Sequence, residues 1–413
     1  MTTPLAIIFQ EVWLSWRYLR RHTRRSSVAL ATIVCGIAAY LLAGGFIHWV
    51  LEKTRDAAIY SQLGHIQVTR PGYFTTGIAD PYRHLLPESV EPIKASIEAS
   101  QVESIAPRLI FTGLLSKEES TISFMGEGID PQAEEPIALA IHVVEGKDLT
   151  ESGPDSVLIG KGLAANAEVK PGDKVVLLAN TADGALNAVE VTVAGLFVSI
   201  SKAYDDATIR APIAISRKLV RVAGSTSWVV LLRDTNATPQ VVKNLEQALP
   251  TASFEITPWW DLADFYKKTV ELLTKQIGVV RLLIGLIVVL SISNTMSMTV
   301  IERTREIGTS MALGATRTSI LRLFIIQGLL LGLVGGTLGV ITGTALASLI
   351  SYIGIPMPPA PGMSEGYIGE IWVSPDLALG GLLLGVITTL IASAAPAWKA
   401  SRMNIVDALR HYH

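Results

Sequence analysis

Ser27-Val28-Ala29-Leu30-Ala31-Thr32-Ile33-Val34-Cys35-Gly36-Ile37-Ala38-Ala39-Tyr40-Leu41-Leu42-Ala43-Gly44-Gly45-Phe46-Ile47-His48-Trp49-Val50-Leu51 carries no Asp, Glu, Lys or Arg. It exceeds the roughly 20 apolar residues that cross a bilayer's hydrocarbon core. Three more such runs follow at Ile277–Ile301, Ile320–Ile350 and Leu377–Trp398, and residues 52–276 between the first and second have soluble character. The spacing is one, then three. Four crossings return both ends of the chain to one side, so the long insert stands alone on the other. The expected layout is residues 1–26, span 27–51, insert 52–276, span 277–301, loop 302–319, span 320–350, loop 351–376, span 377–398 and tail 399–413.

Composition agrees with a mixed architecture: 49% of the 413 residues are apolar and 17% charged, with a net charge of −2. No nucleic-acid partner is expected. Basic residues are placed unevenly. Arg17, Arg20, Arg21, Arg24 and Arg25 precede the first span, Arg303, Arg305 and Arg317 lie after the second, and Lys399, Arg402 and Arg410 follow the fourth. Residues 351–376 contain no Lys or Arg. The positive-inside rule therefore puts both termini and residues 302–319 in the cytosol of a multi-pass membrane protein, with the insert exported. The first run is too long and starts too late for a cleaved signal peptide. The sole cysteine, Cys35, lies in that span, so the insert has neither disulfides nor a thiolate metal site.

Residues Pro4–Arg25 read as an amphipathic helix on the cytosolic leaflet, with Leu5, Ile8, Val12, Trp13, Trp16 and Leu19 at helical spacing. In the insert, Val189–Val193, Ser227–Leu232 and Lys174–Leu178 read as strands and Gly162–Glu168 as a short helix. That helix leads into a type II turn at Lys170-Pro171-Gly172-Asp173. The expectation is a large exported α+β domain of two subdomains divided near Glu145–Asp155. Trp259-Trp260 reads as an interface anchor or, failing that, a grip for an apolar ligand.

From Asp261 a helical pattern continues through Tyr266, Val270 and Leu273 into the second span, either as one rod or as a span with a frayed entrance. Arg281 sits one turn inside and is read as an anchor. The polar run Ser291, Ser293, Asn294, Thr295, Ser297 and Thr299 is expected to face other helices. In the third span Gly328, Gly332 and Gly336 form one four-residue ladder and Gly335, Gly339 and Gly343 another, which marks close helix packing within one chain or across a dimer.

The loop reads Glu302-Arg303-Thr304-Arg305-Glu306-Ile307-Gly308-Thr309-Ser310-Met311-Ala312-Leu313-Gly314-Ala315-Thr316-Arg317, an apolar and charged stretch that Gly308 and Gly314 are expected to break. It resembles the cytosolic coupling loop, "ERTREIG…ALGA", of the MacB/FtsX/LolC-LolE superfamily of ABC-transporter permeases. The ending Pro396-Ala397-Trp398-Lys399-Ala400-Ser401-Arg402-Met403-Asn404-Ile405-Val406-Asp407-Ala408-Leu409-Arg410 is similar to that family's "PAxxASxxxPxxALR", with Asn404-Ile405 around the position of the usual proline. Val157-Leu158-Ile159-Gly160-Lys161-Gly162-Leu163-Ala164 and Val169–Asp173 resemble its periplasmic core. Gly126-Glu127-Gly128-Ile129-Asp130-Pro131 leans toward the lipoprotein-releasing branch.

The resemblance implies a permease subunit of the cell inner membrane, its large inserted domain periplasmic, that pairs with a second protomer, alike or different, and takes up ATP-driven motion through the loop. Glu302, Arg303, Arg305, Glu306, Ile307, Met311, Leu313, Gly314 and Arg317 are the coupling candidates. No Gly-x-x-x-x-Gly-Lys-Ser/Thr phosphate loop is present and only residues 1–26 precede the first span, so ATP and Mg are expected on a separate cytosolic ATPase. The chain itself is expected to be no enzyme. Membrane lipids and a periplasmic acceptor or adaptor protein are further expected partners. The implied cargo is a lipoprotein, a lipid-linked molecule or another amphiphile. The alternatives are an FtsX-like transmitter that switches an exported cell-wall hydrolase and a MacB-like efflux permease for peptides or drugs. No Gly-x-Ser-x-Gly, no His-Glu-x-x-His and no Cys/His spacing marks an exported hydrolase or metal site, and His65, His84 and His142 lie far apart.

Overall fold

The computed structural model describes residues 13, 15, 17, 23–78, 80–118, 120–358, 366–405 and 408. The interfacial helix expected over residues 1–26 lies almost wholly outside them, as does most of the tail beyond residue 405. The chain forms two compact units: residues 1–51, 270–356 and 368–413 in one, and residues 52–269 and 357–367 in the other.

The first unit is helical. Helix α1 is Thr23–Ala58, α2 Asp264–Glu302, α3 Thr304–Ala312, α4 Arg317–Ile353 and α5 Pro375–Ser401. All but α3 are long and apolar enough to cross a membrane, which defines a multi-pass membrane protein. Helix α1 continues beyond the apolar run because Arg55 pairs with Glu52 and Asp56 along its polar end. Helix α2 runs without a break from Asp264 through the second apolar run. Ile33, Ile37 and Leu41 of α1 form the unit's core with Val288, Ile292 and Met296 of α2, Leu331 of α4 and Leu384 and Ala392 of α5.

Small residues bring these helices together. A Cβ at Gly332 would collide with Thr389 Oγ1, and one at Gly328 would stand 2.6 Å from Ser393 Oγ. One at Gly336 would lie 2.8 Å from Leu382 Cδ1, so the first ladder faces α5. The second ladder faces α1, where a Cβ would come 2.9 Å from Ile33 Cγ2 at Gly335, 2.8 Å from Ile37 Cβ at Gly339 and 2.9 Å from Leu41 Cδ1 at Gly343. Both ladders are thus occupied within one chain.

The inserted unit is built on a ten-stranded sheet: β1 Ile66–Thr69, β2 Val102–Lys117, β3 Ser120–Ile129, β4 His142–Gly146, β5 Ser156–Gly160, β6 Lys174–Asn180, β7 Leu186–Val198, β8 Thr208–Pro212, β9 Ser227–Leu232 and β10 Glu255–Pro258. The order is β10-β1-β9-β2-β3-β8-β5-β7-β4, with β6 pairing β2 and β7. The pairs β2–β3, β3–β8, β8–β5, β5–β7, β7–β6 and β6–β2 therefore close a ring. Leu109, Phe111, Phe124, Val157, Val191 and Ile209 pack in its core with Leu163 and Leu219 of the flanking helices. A second core joins Ile66, Val68, Trp228 and Val230 to Val241 and Leu245 of the helix Thr238–Ala248.

The expected division near Glu145–Asp155 is not where the lobes part. That segment holds the edge strand β4 and a 3-10 turn. The lobes share β2, whose first half pairs β9 and whose second half pairs β6. A single cut cannot separate them, because one lobe is made from both ends of the insert. Trp259 is also no surface anchor: it is 6% exposed in a core cluster with Ile59, Val229 and Leu231, edge-on to Trp260 and Tyr266.

His65 opens β1 and is fully buried. Its Nδ1 accepts the Leu232 N–H at 3.0 Å, so the proton is on Nε2, which donates to Thr235 Oγ1 at 2.9 Å. Burial, helped by the charge of Arg55, lowers its pKa to about 4. The unfolded chain then binds a proton below about pH 6.5 that the folded chain refuses. The stabilising contribution is present above pH 6.5 and is lost as pH falls to 4, amounting to roughly 2–3 kcal/mol. Unfolding midpoints of wild type and His65→Asn between pH 7 and pH 4 measure it. The variant is expected to start lower and lose less, whereas an equal loss in both would remove His65 as the cause.

Candidate coupling site

Helix α3 stands between the second and third spans. Its inner face, Thr304, Ile307 and Gly308, is buried. Ile307 packs in a cluster with Val300, Ile320, Phe324, Ala397 and Ala400, and half-buried Met311 joins its edge. Gly308 does not break the helix. It lies inside α3, and a Cβ there would stand 2.7 Å from that of Ala408, so glycine at this position is a contact surface rather than a stop. A helix of nine residues formed by TREIGTSMA is marginal alone, and burial of this face holds it.

Gly314 does end the helix, with φ +104°. The Ala315 N–H reaches the Ser310 carbonyl at 3.0 Å and the Gly314 N–H the Met311 carbonyl at 3.1 Å, the paired bonds of a Schellman motif. Thr316 then starts α4, its Oγ1 accepting the Ser319 N–H at 3.2 Å. The turn from α3 into the third span is thereby short and fully bonded.

The coupling candidates divide into two groups. Glu302, Arg305, Glu306, Leu313, Gly314 and Arg317 are exposed, and Leu313 is 84% exposed. Arg303 and Ile307 are buried and Met311 is intermediate. Arg303 stacks its guanidinium over Phe324 at 5.8 Å and donates to Glu306 Oε2 at 3.1 Å. It joins the end of α2 to α4 and does not project from the surface. The outer face thus presents mixed charge and one large apolar side chain, while the inner face keys α3 to α2, α4 and α5.

Sequence reasoning missed Phe324 and the alanines Ala397, Ala400 and Ala408 that receive α3. Their spacing of three residues and then eight along the C-terminal segment was the available signal. It missed as well a buried ionic network in the insert. Glu134 accepts from Arg108 Nε at 3.2 Å and from Arg210 at 2.7 Å. Glu127 accepts from Arg210 Nε at 3.1 Å and from the Tyr204 hydroxyl at 2.6 Å. Burial alone would raise the Glu127 pKa, but the Arg108 and Arg210 guanidiniums and the Tyr204 hydroxyl outweigh it and hold the carboxyl below its usual range. The Gly126–Pro131 phrase is structural throughout: Gly126 lies on the Phe111 ring, Gly128 on Ser216, and Asp130 caps the turn Pro131–Glu134 through the Gln132 N–H at 3.2 Å.

A membrane unit of one span plus three, with an α+β domain between the first and second, defines the class of protein. The chain belongs to the family of FtsX-like permeases with a MacB-like core: the FtsX-like permease C-terminal family matches residues 278–405, and the MacB-like periplasmic core domain matches residues 26–248. It is 28% identical over 280 residues to an uncharacterized ABC transporter permease of Methanocaldococcus jannaschii, covering 65% of each chain. It is 27% identical over 330 residues to the lipoprotein-releasing system transmembrane protein LolC of Xylella fastidiosa, covering 75% of this chain and 78% of that one. It is 34% identical over 142 residues to the macrolide export ATP-binding/permease protein MacB of Nitrosomonas europaea, covering 34% of this chain and 19% of that one. The chain therefore spans less than two thirds of the archaeal relative and about a fifth of the Nitrosomonas protein. The crystal structure of the periplasmic region of MacB from Actinobacillus actinomycetemcomitans is 16% identical, covering 54% of this chain and 97% of that one, with a TM-score of 0.38.

Proposed function

We propose that this chain is the membrane-spanning subunit of an ATP-driven transporter. It works as a pair with a second permease protomer and with a separate cytosolic ATPase that holds ATP and Mg. The chain lies with both termini in the cytosol, and the inserted domain acts on an amphipathic cargo at the outer surface of the inner membrane. Membership in a family that includes LolC and MacB relatives supports the transporter reading. The observation that carries the coupling role is the two-faced α3: Ile307, Gly308 and Arg303 fix it to the spans, while Leu313, Arg305 and Glu306 are turned outward.

The ATPase receives that outer face, and its closure on nucleotide displaces α3 together with the spans it is keyed to. Leu313→Glu changes an exposed side chain and is expected to leave the permease folded. Co-purification of the ATPase and its permease-stimulated hydrolysis are expected to fall about tenfold, the loss of one apolar contact in an interface centre. Recovery of no ATPase with the intact membrane complex would overturn the reading. Unchanged stimulation by Leu313→Glu would remove α3's outer face from the coupling. Mass spectrometry of lipids and lipoproteins retained by the complex identifies the cargo class.

A further inference from the structure

The end of α2, the start of α3 and the end of α5 enclose a cavity of about 340 Å³, within the roughly 300–1,000 Å³ of small-molecule sites. Val300 and Ile301 of α2, Pro396 of α5 and Met403 just beyond it give apolar walls. The polar lining is Ser297, Thr304 and Lys399, and no Asp or Glu lines it among the described residues. The Thr304 hydroxyl is spent on the Val300 carbonyl at 3.1 Å. Of the polar run expected to face other helices, Asn294 is exposed and Thr295 and Thr299 donate to α2 carbonyls at 2.9 Å each. Ser297 lines the cavity, and its hydroxyl has no partner among the described residues. Lys399 has no carboxylate partner among them either. Arg402, one turn on, lies over the Trp398 ring at 4.5 Å and adds a second cation beside the mouth.

The place of the cavity says what can reach it. Ile301 ends the apolar run of α2, Trp398 ends that of α5, and both are 54% exposed. An exposed tryptophan at the end of a span marks the boundary between acyl chains and headgroups. There Lys399 lays its methylenes along the apolar wall and holds its ammonium at the level of the phosphates. The α3 residue in the lining, Thr304, belongs to that helix's buried inner face. The cavity is therefore turned away from the outer face offered to the ATPase.

We propose that this cavity binds one anionic phospholipid, its phosphodiester held by the Lys399 ammonium and the Ser297 hydroxyl and its first acyl carbons lying on Val300, Ile301, Pro396 and Met403. Both donors lack another acceptor, and a soluble phosphate has no use for the walls. This end of the bundle is cytosolic in the orientation proposed above, and basic pockets between spans on that side suit anionic headgroups. The free carbonyls ending α5 repel an anion on the helix axis, so the phosphate lies against the helix's side. A zwitterionic lipid brings its own cation, which Lys399 and Arg402 repel. The site requires neither the ATPase nor a second protomer, so its failure would leave the transporter reading intact.

Native mass spectrometry of the full-length chain in non-ionic detergent, titrated with dioleoyl phosphatidylglycerol or dioleoyl phosphatidylcholine, tests it. The first equivalent of the anionic lipid is expected to bind about tenfold more tightly, the gain from one charge-assisted bond. Lys399→Ala should remove that gain, and Lys399→Arg should keep most of it. Ser297→Phe fills the cavity while leaving the lysine in place, and is expected to weaken both lipids about tenfold. Met403→Trp repeats that test from another wall should Ser297→Phe misfold. Arg322, exposed at the same end of the bundle and outside the cavity, is the control, and Arg322→Ala should bind as wild type does. Equal affinity for the two lipids, or an equal loss in Lys399→Ala and Arg322→Ala, would overturn the proposal in favour of diffuse attraction to basic residues. Unchanged binding in a folded, cavity-filled variant would overturn it as well. So would displacement of the lipid by equimolar glycerol 3-phosphate, which would make the ligand a soluble phosphate ester.

Discussion

Glu134→Gln is expected to lower the stability of the inserted domain by about 3–5 kcal/mol, the cost of breaking a buried ion pair by removing one partner. Glu134 is 1% exposed and answers both Arg108 and Arg210, each 3% exposed. With glutamine in its place two buried guanidiniums share only Glu127, and the site carries an uncompensated positive charge. For a unit of this size the midpoint of thermal unfolding should drop by on the order of 10 °C. The measurement is thermal unfolding of the full-length protein in detergent, followed by the strand signal in circular dichroism. Replacing the whole network with apolar residues of similar volume (Arg108→Met, Glu127→Leu, Glu134→Leu, Arg210→Met, with Tyr204→Phe) should cost far less, because nothing charged is left stranded. A Glu134→Gln protein as stable as wild type would mean that the network is hydrated and not part of a dry core.

The network has a second consequence through Arg108, which also donates to the carbonyl of Gln62. Gln62 is in the π-helical turn Ile59–Leu63 that ends the helical run begun by α1. The last carbonyls of a helix lack partners of their own, and here a charged donor anchored in β2 supplies one. The sign of the pH dependence follows from Glu127. Its carboxyl is held below its usual range, so its share of the stability is complete above the ordinary carboxylate pKa and is lost as pH falls through the lowered value. The loss from His65 comes at higher pH, between about 6.5 and 4. Acid unfolding of the domain should therefore be broad in wild type and lose its upper part in His65→Asn.

What could be read in the sequence was whatever depends on neighbours in the chain. The four spans follow from run length. The turn at Lys170–Asp173 follows from Pro-Gly, and the structure places Gly172 at φ +95° with the Asp173 N–H bonded to the Lys170 carbonyl at 3.1 Å. Remote pairing was hidden. Nothing local in β2 shows that one half will pair β9 and the other β6, so the closed ring and the shared strand were out of reach. Gly308 was misread for the same reason: glycine breaks a helix by propensity, and only the distant Ala408 shows why a buried helix face needs it. Arg108 and Arg210 did leave a trace, as isolated charges inside the apolar runs Ala106–Ile110 and Ile209–Ala211. Their partners Glu127 and Glu134 come from β3 and the turn after it.

Gly332→Ala is expected to be the most damaging single methyl group in the membrane unit. The added Cβ would collide with Thr389 Oγ1 and stand 2.9 Å from the Val386 Cα and 3.2 Å from the Gly385 carbonyl oxygen. Thr389 cannot turn aside freely, since its one hydroxyl proton is shared between the Gly385 and Val386 carbonyls, each 2.9 Å away. Relief requires α4 and α5 to separate along a contact that Gly328 and Gly336 also bring close. Overpacking of this kind costs about 3 kcal/mol. Gly335→Ala meets only the Ile33 side chain, at 2.9 Å from Cγ2, and a side chain can shift, so about 1 kcal/mol is expected. Gly278→Ala meets nothing within 4 Å and should be neutral or slightly stabilising through helix propensity. Thermal unfolding of the three variants in one detergent ranks them. The order Gly332, Gly335, Gly278 follows from contacts inside one chain and must appear at any protein concentration. If the ladder instead joined two protomers, Gly332→Ala would change the dimer fraction and leave the unfolding of the single chain untouched. Measuring both quantities on one sample therefore decides which helices the glycines hold together.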